Sequence, residues 1–170
     1  MSDKSTKRLC LAAMAAALVC ISTLFFKVPI PLGYAHLGNG FILFGCSLLG
    51  GPYGIFIGGF GSAMADLLGG YSEWIIPTLI IKGTMGYAIG KIANPTGEVF
   101  HLFTIRTFIA SAVGIAVMVV GYFLGGMLLS GSLAAGIAQL PGLVSEGIVG
   151  IILFYIMGAA FNRVHIYHYI

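Results

Sequence analysis

Apolar residues fill most of the chain in six runs, which short polar or turn-forming stretches separate. A helix needs about 20 residues to cross a bilayer, and most of the runs approach that length. Pro52 divides the second run from the third, because the two together are too long for one crossing. We therefore expect six transmembrane helices, at about 9–26, 38–49, 53–68, 74–92, 104–129 and 145–161.

The separating stretches predict where these helices end. Prolines and glycines prevent a regular helix in "KVPIPLGYAHLGN" (27–39), in "GGPYG" and in "GGYSE". The markedly polar interior loop is "ANPTGEVFHLF" (93–103). The stretch 130–144 stays open between a loop, a short helix and an early start of the sixth helix. The long continuous apolar runs exclude transmembrane β-strands.

Composition adds that most of the chain is surrounded by lipid and not by water. Hydrophobic residues make up 59% of the 170 residues and charged residues 8%, whereas a soluble domain carries about 25% charged residues. The predicted fold class is an all-α integral membrane protein, a six-transmembrane-helix bundle that forms one domain over 1–170. The basic start imitates a secretory signal, but the apolar run continues to Phe26, so we expect a retained first helix.

The basic residues predict the orientation. An even number of helices places both termini on one side, and most basic residues then share that side: Lys4, Lys7, Arg8, Lys91, Arg106 and Arg163. Basic loops stay in the cytoplasm, so we expect both termini to be cytoplasmic. The loops at 27–39, 69–73 and 138–142 then face outward. No basic cluster interleaves with aromatic residues, so no nucleic-acid partner is expected.

Asp66, Lys82 and Glu146 are charged and lie within or near the ends of predicted helices. A charge near the bilayer centre costs about 2.5–3.5 kcal/mol on insertion scales. Such a charge therefore pairs internally, meets water or contacts a ligand. For Lys82 two alternatives stay open, an ion pair with Asp66 or Glu146 and a contact with a ligand, and a ligand inserting into the pair would combine them.

Polar and aromatic side chains also gather in the outward loops. Stacking faces, a carboxylate, an imidazole and an amide together suit a flat, polar heteroaromatic ligand, although Trp and Tyr at a membrane boundary also serve as simple anchors. The candidate substrate-binding residues are Tyr34, His36, Asn39, Asp66, Tyr71, Glu73, Trp74, Lys82, Gln139 and Glu146.

Small residues in the first helix predict a close helix contact. Ala12 and Ala16 are four residues apart, as are Ala13 and Ala17, so each pair shares a face. Small residues at this spacing let another helix approach closely. The contact lies either within the chain's own bundle or with a separate membrane subunit.

No motif of an enzyme is visible. The chain has no GxxxxGK[ST] phosphate loop, no GxSxG and no HExxH. Cys10, Cys20 and Cys46 match no metal-ligand spacing and indicate no disulfide framework. We expect no catalytic residue, no metal site and no cofactor.

Residues 36–90 carry a resemblance to a known family. The run "HLGNGFILFGCSLLGGPYGIFIGGFGSAMADLLGGYSEWIIPTLIIKGTMGYAIG" resembles the substrate-binding S components of energy-coupling factor (ECF) vitamin transporters. The most specific part is the spacing of "GSAMADLLGGY" and "PTLIIKGTMGY", in which an aspartate ends one helix and a lysine-glycine pair lies within the next. The alanine pairs of the first helix resemble the family's docking motif.

This resemblance implies a subunit of a larger importer in the bacterial plasma membrane. The six-helix bundle would bind a vitamin from outside, with the first outer loop as a lid. The implied partners are a transmembrane coupling subunit, which docks on the first helix, and two ATPase subunits. ATP hydrolysis in those subunits would topple the S component and carry its site inward.

The resemblance also narrows the substrate. The arrangement "ADLLGGY" followed by "KG" is most similar to the riboflavin, hydroxymethylpyrimidine or pyridoxine-type branch. Thiamine-binding members carry more aromatic residues near the chain's end, where this chain offers mainly Gln139 and Glu146. A sparse pocket around one Trp favours a single small ring. Hydroxymethylpyrimidine or pyridoxine therefore ranks first, and riboflavin second.

Three other functions remain as alternatives. A self-sufficient transporter would couple uptake to protons through Asp66 or Glu146. A small membrane enzyme would use Glu73 and His36 as acid and base. A scaffold would have outer loops that merely pack and would bind no ligand.

Overall fold

Helices make up most of the structure, a computed structural model that describes residues 3–30, 33–97 and 100–163, with side chains for 5–26, 36–97 and 100–163. Seven α-helices follow one another: α1 Asp3–Phe25, α2 Gly38–Leu49, α3 Gly51–Gly54, α4 Gly61–Gly69, α5 Ile75–Ala93, α6 Ile105–Ser130 and α7 Leu133–Arg163. A π-helix, Ile55–Phe60, joins α3 to α4, and a 3₁₀-helix, Ser72–Trp74, precedes α5. These elements form six helical rods, since α3, the π-helix and α4 run as one.

The first loop contains two short strands that the sequence did not predict. Strands β1, Lys27–Ile30, and β2, Gly33–His36, pair antiparallel with Lys27 opposite His36. The chain therefore departs from an all-helical fold at this point. Pro29 and the brevity of both strands hide the alternating pattern by which strands are normally detected, and proline is tolerated where a strand lies at an edge.

Helix α7 covers most of the stretch 130–144, which the sequence had left open, so the sixth predicted helix starts early. It begins at Leu133 and continues through Pro141 to Arg163. A proline inside a helix removes one backbone hydrogen bond, which is why the sequence alone indicated a boundary here. Helix α4 ends where Gly70, the residue that follows it, adopts the left-handed conformation with φ 81°.

Helix α5 lies at the centre of the bundle and contacts the rod 51–69 closely. A Cβ at Gly59 would lie 2.8 Å from the Leu79 carbonyl oxygen, and a Cβ at Gly54 would collide with the Gly86 backbone. Glycine thus lets two backbones meet, the packing typical of membrane helices. The apolar core beside this contact comes from several helices and includes Ile42, Leu43, Met85, Ile89, Met118 and Phe154.

The outer surface of the rods is apolar. Leu128 is 77% exposed and Ile105 74% exposed, and large exposed apolar surfaces mark contact with a membrane or a partner. Among the described residues, three helical stretches are long and apolar enough to cross a bilayer: Ser5–Phe25, Ile105–Ser130 and Leu133–Arg163.

Candidate functional site

A cavity of about 400 Å³ opens at the end of the bundle that carries the hairpin formed by β1 and β2. Its lining comes from α1, β2, α4, the 3₁₀-helix, α5, α6 and α7. Seven of the ten predicted binding residues line it: His36, Asp66, Tyr71, Trp74, Lys82, Gln139 and Glu146. Residues more than a hundred positions apart in sequence therefore share one site.

A charged network, which we call the floor, consists of Lys82, Glu146, Asn39 and His36. The Lys82 Nζ lies 3.5 Å from the Glu146 Oε1 and donates to the Asn39 Oδ1 at 2.5 Å. Asn39 in turn donates from Nδ2 to the Glu146 Oε1 at 2.6 Å. The His36 Nε2 lies 3.0 Å from the same carboxylate oxygen. Asn39 thus bridges the ammonium and the carboxylate.

Burial makes this network energetically demanding. Lys82 is 1% exposed and Glu146 7% exposed, and removing two charges from water costs several kcal/mol per ion. Their attraction offsets the cost only when further hydrogen bonds complete the geometry, and Asn39 supplies these. The Met118 Sδ lies 3.1 Å from the Lys82 Nζ, and the Tyr122 ring centroid is 5.3 Å from it, within cation–π range.

Two glycines allow the close packing of α2 and α7 that brings Asn39 to Glu146. Helix α7 passes close to α2 at Gly150, where a Cβ would lie 2.6 Å from the Asn39 Cβ. A Cβ at Gly40 would lie 2.6 Å from the Leu153 Cδ2. Because both positions are glycine, α2 packs tightly against α7 and Asn39 reaches Glu146.

An aromatic pair forms one side of the cavity. The ring centroids of Trp74 and Tyr122 are 5.6 Å apart at 45°, a separation typical of favourable aromatic contacts. The Tyr122 hydroxyl donates to the Thr78 Oγ1 at 3.0 Å, which fixes the ring. Trp74 lies over α6 at Gly125, where a Cβ would sit 3.3 Å from the indole Cζ3. An aromatic surface of this kind suits the flat face of a ring-shaped ligand.

A third part of the cavity is formed by α1 and α4. Ser62 and Asp66 are one helical turn apart on α4 and both line the cavity, as does Thr23 of α1. The π-helix that precedes α4 closes hydrogen bonds at i→i+5. It therefore shifts which face of the rod points inward beyond Phe60.

The remaining predicted binding residues lie elsewhere. Asn39 is fully buried beneath the cavity and bonds to two residues that line it. Glu73 is exposed on the 3₁₀-helix and is not part of the lining. Tyr34 belongs to β2, and its side chain lies outside the described residues.

The alanines of α1 point in two directions. Ala12 is 1% exposed and Ala16 4% exposed, so this pair packs within the chain's own bundle. Ala13 and Ala17 are exposed. Only the second pair is therefore available to a separate subunit.

Sequence reasoning missed six residues that line the cavity: Thr23, Ser62, Thr78, Tyr122, Gly142 and Leu143. The hydroxyl-bearing members lie inside apolar runs, where an uncharged hydroxyl gives no signal above background. Among the described residues, no group of three His, Cys, Asp or Glu side chains is placed to hold a metal ion.

Comparison with known proteins gives consistent matches along the chain. The family model described as ECF-type riboflavin transporter, S component, matches residues 3–163. Thiamine precursor transporter HmpT of Lactococcus lactis subsp. cremoris (strain MG1363) is 30% identical over 169 residues, covering 96% of this chain and 92% of that protein. A Pyrococcus woesei protein, described as uncharacterized and in the gap 3' region, is 34% identical over 137 residues, covering 79% and 88%.

A solved structure shares the fold. The S-component for biotin from an ECF-type ABC transporter, whose crystal structure was determined at 2.1 Å, aligns with a TM-score of 0.60. The alignment covers 94% of this chain and 95% of that one at 19% identity. At this identity the likeness concerns the fold alone.

Proposed function

This chain belongs to the family of ECF-type riboflavin transporter S components, and from that premise we propose that its substrate is a small single-ring vitamin precursor. Family membership makes it a substrate-binding transporter subunit and not an enzyme. Our first choice of substrate is hydroxymethylpyrimidine, the pyrimidine precursor of thiamine. Pyridoxine is the second choice.

The observation that carries this proposal is a modest cavity with a charged floor beneath an aromatic pair. At about 400 Å³, the cavity lies near the small end of the usual range of about 300–1,000 Å³ for ligand pockets. A pyrimidine with an exocyclic amino group offers donors to Glu146 and a ring nitrogen that accepts from Lys82. Its flat face suits Trp74 and Tyr122.

The relatives support the pyrimidine over riboflavin. The Lactococcus lactis relative is named a thiamine precursor transporter and aligns over 96% of this chain. The family description names riboflavin, whose three fused rings and ribityl chain form a much larger ligand. Riboflavin is therefore the alternative that a binding experiment must test alongside the pyrimidine.

Titration of the purified protein in detergent tests the substrate. Trp74 is the chain's one Trp and lines the cavity, so its fluorescence reports binding there. The panel is hydroxymethylpyrimidine, pyridoxine, riboflavin and thiamine, with calorimetry as a second readout and Trp74→Phe as the optical control. We expect saturable quenching by the pyrimidine at the lowest concentration. Tighter binding of riboflavin, or no binding of any ligand, would contradict the proposal.

For the membrane arrangement, we propose that all six rods lie within the bilayer and that the cavity faces outward. Helix α2 has 12 residues and is about 18 Å long, so it reaches only part of the way across. The hairpin then lies over the outer end, and both termini lie in the cytoplasm of a bacterial cell. The whole chain, 1–170, would act as one domain.

The partners that we propose are a transmembrane coupling subunit and two ATPase subunits. The exposed face of α1 supports this docking, because Ala13 and Ala17 lie there beside Met14, which is 63% exposed. Small residues on an exposed apolar face permit close approach of a partner helix.

The variant Ala17→Leu tests this docking face. Because residue 17 is exposed, we expect the variant to retain ligand affinity and melting temperature while failing to copurify with the coupling subunits. Ala112→Leu, at an exposed alanine of α6, is the matched control and should assemble normally. Normal assembly of Ala17→Leu would exclude this face.

A further inference from the structure

Three buried polar atoms on one side of the cavity have no hydrogen-bond partner within the described part of the chain. They are the Thr23 Oγ1, the Ser62 Oγ and the His36 Nδ1, and all three residues line the cavity. Buried polar groups in folded proteins are nearly always bonded. A cluster of exceptions on one cavity side is therefore informative.

Other buried hydroxyls, one on α1 and one on α6, show which hydrogen bond the Thr23 and Ser62 hydroxyls lack. A serine or threonine inside a helix commonly donates to the carbonyl four residues earlier. Ser22, next to Thr23, does so to the Leu18 carbonyl at 2.6 Å, and Ser111 does so to the Thr107 carbonyl at 2.9 Å. The hydroxyls of Thr23 and Ser62 make no such bond.

The chain also keeps space open between these atoms. Gly38 separates Thr23 from His36, and a Cβ there would collide with the Thr23 hydroxyl and lie 2.9 Å from the His36 Nδ1. Glycine at 38 thus leaves space beside both polar atoms, which a larger side chain would fill. Ser62 is only 2% exposed overall and lines the cavity, so this part of the cavity wall is shielded from solvent.

The chemistry of the three atoms defines what they would bind. His36 presents Nε2 to the Glu146 carboxylate at 3.0 Å, so in neutral imidazole the proton lies on Nε2 and Nδ1 is an acceptor. The two hydroxyls each donate one hydrogen bond and accept others. The matching group both donates and accepts, and an alcohol does so.

We propose that Thr23, Ser62 and His36 form a hydroxyl subsite that binds an alcohol substituent of the ligand. This subsite adjoins the charged floor and shares His36 with it, since Nε2 faces the Glu146 carboxylate and Nδ1 belongs to the subsite. The Lys82 ammonium and the Glu146 carboxylate of the floor would bind the ring's nitrogen and amino groups. The inference rests on the proposed function and deepens it. For a hydroxymethylpyrimidine, the subsite would take the hydroxymethyl arm and discriminate against a methyl group at that position.

The test compares two ligands that differ by one oxygen. The probes are 4-amino-5-hydroxymethyl-2-methylpyrimidine and its 5-methyl analogue, titrated calorimetrically into the wild-type protein. We expect the alcohol to bind about 10- to 100-fold more tightly, because the analogue leaves the buried polar atoms unbonded. In Thr23→Val and Ser62→Ala the ratio of the two affinities should fall towards one.

Two matched variants separate the subsite from general damage. Ser22→Ala and Ser111→Ala remove buried hydroxyls that bond to their own helices, so the ratio should stay at the wild-type value. Thr23→Val and Ser62→Ala should melt no lower than wild type, since each loses a group that has no partner in the described protein. A fall in melting temperature with an unchanged ratio would indicate a structural role and overturn the subsite.

The outcomes distinguish the subsite from the proposed function. If both pyrimidines bind wild type equally well, the proposed function stands and the hydroxyl subsite is wrong. If the alcohol is preferred but Thr23→Val with Ser62→Ala keeps the full preference, the subsite lies elsewhere and the inference is wrong. If neither pyrimidine binds, the proposed substrate is wrong and the inference falls with it.

Discussion

The floor of the cavity and its hydroxyl subsite are built in opposite ways. In the floor, Lys82, Glu146 and Asn39 bond to one another at 2.5–3.5 Å. In the subsite, Thr23 and Ser62 have hydroxyls without partners in the described residues. The floor therefore stabilises the folded protein before any ligand binds, whereas the subsite hydroxyls contribute only to the free energy of ligand binding. Substitutions in the two regions should separate stability from affinity.

The largest effect should come from breaking the ion pair. Lys82→Met leaves the Glu146 carboxylate buried without its ammonium, which costs about 3–5 kcal/mol in comparable buried pairs. We expect a marked fall in melting temperature in detergent and loss of pyrimidine binding. Lys82→Met combined with Glu146→Leu should recover stability without recovering binding.

Lys91→Met is the matched control for the ion pair, because Lys91 is exposed and lies over the Tyr87 ring at 5.8 Å. It should melt close to wild type and bind normally. If Lys82→Met melts like Lys91→Met, the floor is not structural and the contrast with the subsite disappears.

A smaller effect should come from displacing the floor without changing its chemistry. Gly150→Ala places a Cβ 2.6 Å from the Asn39 Cβ, so α2 and α7 must separate, at a cost of about 1–3 kcal/mol. We expect lower thermal stability and weaker pyrimidine binding, measured by melting and calorimetry.

Gly83→Ala is the matched glycine substitution. A Cβ at Gly83 would lie 3.6 Å from the Ile55 Cγ2, an ordinary contact, and alanine favours a helix more than glycine does. This variant should be at least as stable as wild type. Equal behaviour of the two variants would show that Asn39 is not held by the α2–α7 contact.

The smallest effect concerns a hydroxyl that already has a partner. Tyr122→Phe removes the bond to the Thr78 Oγ1 and keeps the ring beside Trp74. We expect a loss of about 0.5–1.5 kcal/mol in unfolding free energy with little change in ligand affinity. Ser62→Ala should show the reverse pattern. A similar pattern in both variants would remove the distinction between bonded and ligand-directed hydroxyls.

Sequence patterns predicted the positions of the helical rods better than the irregular elements within and between them. The helix expected at 38–49 is found there as α2, and those expected at 74–92 and 104–129 agree to about one residue with α5 and α6. Continuous apolar runs in a membrane protein define helices strongly. The hairpin was missed because Pro29 and the brevity of its strands hide the alternating pattern. The π-helix 55–60 was missed because its composition matches that of the helices on either side.

The site was predictable where it carries charge and not where it carries hydroxyls. Lys82 and Glu146 were singled out because charge in an apolar run is costly, and the pairing of Lys82 with Glu146 was one of the alternatives left open. Thr23 and Ser62 carry no such penalty. The spacing of the alanines identified two faces of α1 but not which face turns inward, since that depends on helices distant in sequence.

Uptake of labelled hydroxymethylpyrimidine by cells that express this chain, with and without a coupling subunit and two ATPase subunits, tests the central claim most directly. The proposed function assigns the energy-supplying step to the two ATPase subunits and not to this chain. We expect uptake only with all partners present, and its loss when the ATPase subunits are inactivated. Uptake by the chain alone, driven by a proton gradient, would contradict the account and identify a self-sufficient transporter.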